Sequence, residues 1–235
     1  MRFTQPHAWD VLPAEAREIQ RDLASRVELA DAITLDAIQT VAGVDNTYVK
    51  MDGETLAGAV VVALAFPDLE VIATSVAWQP VTFPYVPGLL SFREAPAVLA
   101  ACANLTVEPD VVLFDGQGYA HPRRFGLASH LGVLLDRPSI GCAKSRLIGE
   151  YAEPPREFGA WTPLIADGEV VGAAVRTRPR HKPLFISPGH KVSVQTAVTI
   201  TLACCRGGSF LPEPTRLAHE IVTRERRARQ AAAGG

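Results

Sequence analysis

The sequence predicts an α/β fold: a single domain spanning residues 1–235, with a mixed central β-sheet flanked by helices. Three strand-like runs come early in the chain, separated only by turn residues, which is typical of an antiparallel meander. A short and wholly apolar run comes later, as expected of a strand buried on both faces of a sheet. Helical and strand-like segments alternate after the meander. With 235 residues and 48% hydrophobic composition, the chain can bury a sizeable core.

The first predicted element is a helix over residues 13–29, where apolar residues recur at roughly helical spacing between Glu and Arg. The meander follows. Its strands are predicted at residues 40–49, 56–66 and 69–78, with turns at 51–53 and 67–68. A loop rich in Pro and Gly then covers residues 83–92.

The second half alternates helices and strands. Helices are predicted at residues 95–103 and 127–135, and short interior strands at 111–114 and 139–143. Two further segments, 170–176 and 184–186, could add edge strands, and helices at 193–205 and 215–229 close the chain. This order of elements matches the ribonuclease H-like architecture, although the order of elements alone does not fix a function.

Composition excludes several classes of protein. The net charge of −2 does not suit blanket attraction to phosphate, so any basic surface must be local. The four cysteines form no C-x-x-C pair and lack a histidine cluster, which argues against a zinc site and predicts reduced core thiols. The chain has no signal-peptide pattern, and its most apolar stretch is too short to span a bilayer. We expect a cytoplasmic protein that acts as a monomer and does not bind membranes.

Two aspartates stand at strand positions where a charge is costly. Asp45 interrupts the first strand of the meander, and Asp115 ends the buried strand 111–114. A carboxylate at such a place needs compensation, which a divalent cation between the two groups would supply. The alternative is that each aspartate caps a turn or a helix start, a reading that Gly116 favours for Asp115.

Other polar residues near these aspartates could complete a phosphodiester-cleaving site. Glu94 could be a third acidic ligand, or it could form a capping box with Ser91. His121 could orient a phosphate or a water molecule, or be an ordinary loop residue. Lys144 could neutralise charge in a phosphoryl transition state, or be simply exposed. The arginines 123 and 124 could clamp phosphate oxygens.

Four segments stand out in order along the chain. They are PYVPGLLSFRE at 84–94; DGQG, AHPR and GLASHLG between 115 and 132; GCAKS at 141–145; and SPGH at 187–190. Together they resemble the signature segments of the endonuclease V family, and the resemblance runs from about residue 43 to residue 219. The one departure noted, Cys142 in place of the usual Val, is a small change at a core position.

The resemblance implies a ribonuclease H-like nuclease that uses Mg²⁺, or Mn²⁺ in its place, and nicks DNA at the second phosphodiester bond 3′ to deoxyinosine. It implies catalytic roles for Asp45, Glu94, Asp115 and Lys144, with the three acidic residues as metal ligands. His219 falls where the family carries His or Asp, and is a further candidate ligand. The implied substrate contacts are a strand-parting wedge of Pro84, Tyr85 and Pro87, together with Gly88, Gly116, His121 and Arg123.

Several functions remain open at this point. The expected partner is DNA containing deaminated bases such as hypoxanthine, and inosine-containing RNA is the alternative, since some family members prefer it. A non-catalytic nucleic-acid binder on the same fold should have lost a carboxylate. An actin-like phosphotransferase, suggested by Asp115-Gly116-x-Gly118, would need a second phosphate loop, for which Gly207-Gly208 is a poor candidate. Tyr85 either stacks on a base or packs inward, and basic clusters at 176–182 and 224–229 could track phosphates.

Overall fold

The computed structural model describes residues 1–51 and 53–233, and in this part of the chain it forms one eight-stranded sheet flanked by helices. The strands lie in the order β3-β2-β1-β4-β5-β8-β7-β6. Their bounds are β1 Thr40–Met51, β2 Glu54–Ala65, β3 Val71–Pro80, β4 Val111–Phe114, β5 Ser139–Ala143, β6 Trp161–Ala166, β7 Glu169–Val175 and β8 Leu184–His190. The helices are α1 Pro13–Ala24, α2 Leu90–Asn104, α3 Leu127–Leu135, α4 Val194–Ala203 and α5 Glu213–Ala233, with a short 3-10 turn at Leu35–Ala37.

The predicted meander is confirmed. β1 pairs antiparallel with β2 along their whole length, from Thr40 opposite Ala65 to Met51 opposite Glu54, and β2 pairs antiparallel with β3. Of the turn predicted at 51–53, Asp52 lies outside the described residues. The long apolar run of β2 is buried because helices cover one face of the sheet and α5 covers part of the other.

The far side of the sheet differs from the prediction. β4 runs parallel to β1 and β5 runs parallel to β4, while β8, β7 and β6 continue with antiparallel pairings. Residues 170–176 and 184–186 do form strands, but β7 and β8 are interior strands and not edge strands. The edge strand on this side of the sheet is β6, which was not predicted from the sequence. Pro163 obscures it, since proline is disfavoured in strands and tolerated mainly at sheet edges.

The helices differ from prediction mainly at their ends. α1 ends at Ala24, five residues before the predicted end at 29, and α2 begins at Leu90 within the predicted loop. The N-cap of α2 is Leu89, so Ser91 lies inside the helix and pairs with His130 Nδ1 at 2.9 Å. The capping-box alternative for Ser91 and Glu94 is therefore wrong, because neither residue is at the required position relative to the helix start.

Two apolar layers hold the sheet between its helices. On β1, Val41 belongs to the layer that includes residues of α4 and α5, while its neighbour Ala42 belongs to the layer under α2 and α3. This alternation is the two-residue period of a strand. The described cysteines are unpaired thiols, three of them buried, as the sequence predicted. In the described part of the chain, no helix has the length and apolar character needed to cross a bilayer.

The contact between α5 and β1 is unusually close. A side chain at Gly43 would place its Cβ 2.0 Å from the backbone oxygen of Pro214, at the start of α5. Only glycine lets the helix backbone approach the strand at this point. The contact fixes where the following turns of α5 lie relative to the next residues of β1.

We therefore expect Gly43→Ala to push α5 away from β1. Overpacking of this kind destabilises a protein by about 1–3 kcal/mol, so the midpoint of urea denaturation should fall. Any activity that depends on His219 should fall as well, since α5 carries His219 toward β1. If this variant kept wild-type stability and activity, α5 would have moved to accommodate the added methyl group without any loss in the free energy of unfolding.

Candidate active site

The parallel pairing of β1 with β4 brings two aspartates side by side. Val44 pairs with Phe114 in the ladder, and the backbone N–H of Asp115 donates to the Val44 oxygen at 3.0 Å. Asp45 and Asp115 are thus the next residues on adjacent strands. Asp45 is only 8% exposed. Burial raises the pKa of the Asp45 carboxyl, and the negative charge of Asp115 raises it further.

His219 joins this pair from α5. Its Nδ1 lies 2.7 Å from Oδ2 of Asp45, and the other Asp45 oxygen accepts the backbone N–H of Asn46 at 2.8 Å. Asp45, Asp115 and His219 each offer one ligand atom, and these three atoms lie within 4.8 Å of one another. Two carboxylate oxygens and an imidazole nitrogen at this spacing suit a divalent cation.

Glu94 approaches from the opposite face of the sheet, on the second turn of α2. It is 8% exposed, and its Oε1 accepts a hydrogen bond from the Tyr48 hydroxyl at 3.0 Å. Burial raises the pKa of Glu94 to about 8, and Asp45 and Asp115 contribute to the rise. Glu94 is therefore near the two aspartates, although its carboxylate is not within the 4.8 Å group that they form with His219.

Lys144 supplies a positively charged side chain at the site. It follows β5, the neighbour of β4, and its Nζ forms an ion pair with Oδ2 of Asp115. Since β4 and β5 are parallel, their carboxyl ends lie at the same edge of the sheet, which brings Lys144 beside Asp115. Lys144 is partly exposed, and its ion pair with Asp115 gives it a specific partner in the site.

A cavity of about 480 Å³ adjoins these charges. Asp115 and Lys144 contribute to its lining, and so do Gly116, Leu127 and Gly88. The volume lies within the usual range for small-ligand sites. The cavity is lined mainly by apolar surface, so a flat heterocycle would be a suitable occupant.

The loop before α2 forms one wall of this cavity. Tyr85 at its tip is 73% exposed, which excludes the alternative that it packs in the core. The flanking residues Pro84 and Pro87 are also exposed, whereas Phe83 is buried and anchors the loop in a small aromatic and aliphatic cluster. The prolines limit the conformations available to the loop and hold the exposed ring at its tip.

The side chains of His121 and Arg123 are directed toward this loop and contact its backbone. His121 is 3% exposed, its Nε2 lies 3.0 Å from the Gly88 oxygen, and its Nδ1 accepts the Arg123 backbone N–H at 3.2 Å. Because a carbonyl only accepts, Nε2 carries the proton and the ring is neutral. Burial lowers the pKa of His121 to about 4, helped by the charge of Arg123. Both ring nitrogens are already engaged, so a phosphate contact through His121 would have to break one of these bonds.

The predicted basic clusters are only partly available to a ligand. Arg176 is buried and donates to Glu153 and to several backbone oxygens, so it supports the chain before β6 instead of facing a phosphate. Arg124, a separate candidate for clamping phosphate oxygens, pairs with Asp167 and Glu169. Arg229 lies over the ring of Trp78, 4.6 Å from its centroid. Each of these arginines already has a partner within the protein.

Comparison with known proteins identifies the family. The sequence profile of endonuclease V matches residues 21–220. An endonuclease V from Roseiflexus sp. (strain RS-1) is 53% identical over 227 residues, covering 95% of this chain and 97% of the relative. One from Methanothrix thermoacetophila is 51% identical over 97% of this chain and 98% of the relative. The chain belongs to the endonuclease V family.

Solved structures agree with this assignment. The Bacillus subtilis endonuclease V crystal structure matches with a TM-score of 0.94 at 36% identity, covering 99% of this chain and 100% of that chain. A Ciona intestinalis endonuclease V, in complex with a 23mer DNA containing an inosine followed by a ribo-adenosine, matches with a TM-score of 0.78 at 32% identity, covering 92% and 97%. These matches confirm the expected ribonuclease H-like fold. They also confirm the expectation that the chain is a nuclease.

Two residues of this endonuclease V site were not found in the sequence. Tyr48 donates to Glu94, and Gln20 donates to the oxygens of Gly88 and Phe125 at 3.1 and 3.2 Å. Tyr48 lies on the face of β1 opposite to Asp45, three residues further along the strand, so strand periodicity could have directed attention to it. Gln20 lies on a helix far away in sequence, and no local signal connects it with the site.

The metal-free protein should lose stability as the pH rises, because Glu94 is protonated in the folded state. Its pKa is about 8 when folded against a usual 4.5, so the stabilisation is complete below pH 4.5 and lost as the pH rises to 8. The upper limit is about 5 kcal/mol, from about 1.4 kcal/mol per pKa unit. Urea denaturation in EDTA between pH 5 and pH 8 measures it.

Glu94→Gln is the matched control, since the amide keeps the shape of the side chain and does not titrate. Its stability should depend less on pH over this range than that of the wild type. Parallel pH profiles for the two proteins would contradict the raised pKa of Glu94.

Proposed function

We propose that the chain is a DNA repair endonuclease, acting as a monomer in the cytoplasm, with residues 1–235 as one nuclease domain. It recognises deaminated purines, deoxyinosine above all, and hydrolyses the second phosphodiester bond 3′ to the lesion. The observation that carries the proposal is the juxtaposition of an acidic cluster with a cavity, joined through Asp115, which belongs to both. A base held in the cavity would place a nearby phosphate of the same strand at the carboxylates.

The acidic cluster fits Mg²⁺, with Mn²⁺ as a substitute. Asp45, Asp115 and Glu94 offer oxygen atoms, the donors that Mg²⁺ prefers, and His219 offers a nitrogen that Mn²⁺ accepts more readily. Asp45 and Glu94 are buried close to other carboxylates, which raises the pKa of both groups, and a bound cation would offset both effects. When bound, the ion supplies water activation and neutralises charge at the phosphate.

The protein's own groups position the substrate and balance its charge. Lys144, already paired with Asp115, offers a positive charge to the developing negative charge of the phosphate oxygens. His219 lies at the exposed side of the cluster, where its second ring nitrogen is free to meet solvent or substrate. Gly116 contributes to the cavity wall next to Asp115 and, lacking a side chain, leaves room for a base.

The cavity also offers a basis for choosing deaminated bases. Gln117 contributes to the lining, and its amide donates to the Ser145 oxygen at 2.8 Å, while its own side-chain oxygen is buried and has no hydrogen-bond partner among the described residues. Deamination of adenine converts N1 from an acceptor into an N–H donor. If the Gln117 oxygen turned toward the cavity, it would accept from this N–H of hypoxanthine, whereas adenine would leave two acceptors unsatisfied.

A ribonuclease acting on inosine-containing RNA is the second candidate. The Ciona relative is complexed with DNA in which a ribo-adenosine follows the inosine, so its site accommodates a ribose next to the lesion. The carboxylates and Lys144 act on the phosphate and do not distinguish the two sugars.

One assay separates these functions. We expect the protein with Mg²⁺ to cut inosine-containing duplex DNA at the second phosphodiester bond 3′ to the inosine. A matched adenosine duplex should stay intact. Matched single-stranded DNA and RNA substrates, with the cut positions mapped on sequencing gels, rank the two candidates. Preferential cutting of the RNA would replace the DNA-repair proposal, and equal cutting of inosine and adenosine substrates would contradict recognition of the lesion.

Asp45→Asn and Asp115→Asn are the controls for this assay. Each should reduce cleavage by about 100-fold or more while nucleic-acid binding persists, since metal-assisted hydrolysis loses a charged ligand while asparagine keeps the shape of the aspartate side chain. Near-normal cleavage by either variant at saturating Mg²⁺ would remove that aspartate from the site.

Tyr85 should contribute to binding but not to folding. Extruding a base costs a few kcal/mol, and stacking on an aromatic ring returns about 1–3 kcal/mol. We therefore expect Tyr85→Ala to weaken binding of inosine-containing duplex about 10-fold or more, with Tyr85→Phe close to wild type. The melting temperature should be nearly unchanged because the ring is exposed. A lowered melting temperature with undiminished binding would contradict the wedge role.

A further inference from the structure

We call the loop before α2, residues 83–89, the wedge loop because Tyr85 lies at its tip. The carbonyl oxygen of Gly88, at the base of this loop, accepts hydrogen bonds from three donors. Gln20 Nε2, His121 Nε2 and Arg123 Nη2 lie 3.1, 3.0 and 2.6 Å from it. Gly88 itself has a φ of +78°, a conformation that favours glycine. The wedge loop is thus tied at its hinge both to α1 and to the turn after β4.

Gln20 is the buried link in this arrangement, with 1% exposure. Its amide nitrogen donates to the oxygens of Gly88 and Phe125, and its Oε1 accepts from Arg123 Nε at 2.6 Å. Every donor of the Gln20 amide is engaged. The glutamine therefore fixes the direction of the Arg123 guanidinium relative to the wedge loop.

Arg123 is held by neutral oxygens alone. Its side-chain hydrogen bonds go to Gln20 and Gly88, and no carboxylate in the described residues forms an ion pair with it. A guanidinium has five N–H donors, so most of them remain available. Arg123 is half-buried, and a charge in such a place usually has a counter-ion.

Two more arginines stand beside Arg123, on α1. Arg17 and Arg21 are about one helical turn apart, and Arg17 lies about one turn before Gln20, the residue that contacts Arg123. Arg17 donates to the Pro13 oxygen, and Arg21 has only a 4.0 Å contact with the exposed Glu18. After burial, the charges of Arg17 and Arg21 are what lower the pKa of Arg123. Three cations thus repel one another with no buried anion among the described residues to compensate.

The location of this cluster indicates which anion it would bind. Asp115 and Lys144 line the cavity at the acidic cluster, and Gln20, Gly88 and His121 line it beside α1. In the proposed reaction the cut lies 3′ to the base held in the cavity, at the acidic cluster. The strand on the other side of the base, its 5′ side, then leads toward α1.

We propose that Arg17, Arg21 and Arg123 bind one backbone phosphate on the 5′ side of the extruded base, with Gln20 holding Arg123 in place. The inference rests on the proposed function for the direction of the strand. It gives α1 a part in substrate binding, which the signature segments do not include. Guanidinium groups suit a phosphate because they offer paired N–H donors and a permanent charge.

The first test is equilibrium binding of a fluorescent inosine-containing duplex, without divalent cation, by the Arg17→Gln/Arg21→Gln double variant. We expect affinity to fall about 10-fold, and the slope of log affinity against log salt to decrease by about 0.9 for the one phosphate lost. Arg26→Gln is the control, since Arg26 is an exposed arginine just beyond the end of α1. A double variant that binds as tightly as this control would overturn the proposal.

The second test replaces single phosphates of the inosine strand by uncharged methylphosphonates. Wild-type affinity should fall at one position 5′ to the inosine, and the double variant should show no additional loss there. Loss only at 3′ positions or in the complementary strand would overturn the assignment. If the wild type cuts inosine DNA yet either test fails, only the phosphate site is wrong; if it cuts no inosine substrate, the proposed function fails as well.

Discussion

The burial of several carboxylates in one small volume is the constraint on which this site depends. Asp45 and Asp115 are neighbours on parallel strands, and Glu94 approaches them from the other side of the sheet. Removing like charges from water is unfavourable unless cations or protons compensate. Within the protein Lys144 pairs with Asp115 and His219 contacts Asp45, while burial and the neighbouring carboxylates still raise the pKa of Asp45 and Glu94. A bound cation would supply the remaining compensation.

The rest of the fold delivers groups to that point from both faces of the sheet. α5 brings His219 on one face, and its close approach to β1 at Gly43 sets the distance. α2 brings Glu94 on the other face, where Tyr48 of β1 donates to it. Each helix is held by its own apolar layer, so the positions of His219 and Glu94 follow from packing far larger than the site itself.

The loop that carries Tyr85 depends on a second and separate anchor. The wedge loop carries an exposed ring, Tyr85, on a base tied down through the oxygen of Gly88. The donors come from α1 and from the turn between β4 and α3, so the loop is coupled to residues distant in sequence. His121 and Arg123, which the sequence suggested as direct phosphate contacts, first serve to hold this loop. A rigid loop reduces the entropy lost when it meets an extruded base.

The sequence by itself determined the meander, the short buried strands and the residues Asp45, Glu94 and Asp115, because a charge within an apolar strand and a specific signature segment are both local signals. Only the tertiary structure decided that β7 and β8 lie inside the sheet, that β6 forms its edge, and that Gln20 supports the wedge. These features arise from pairings between distant segments. Strand order and side-chain partners are set by packing in three dimensions, which spacing along one chain does not encode.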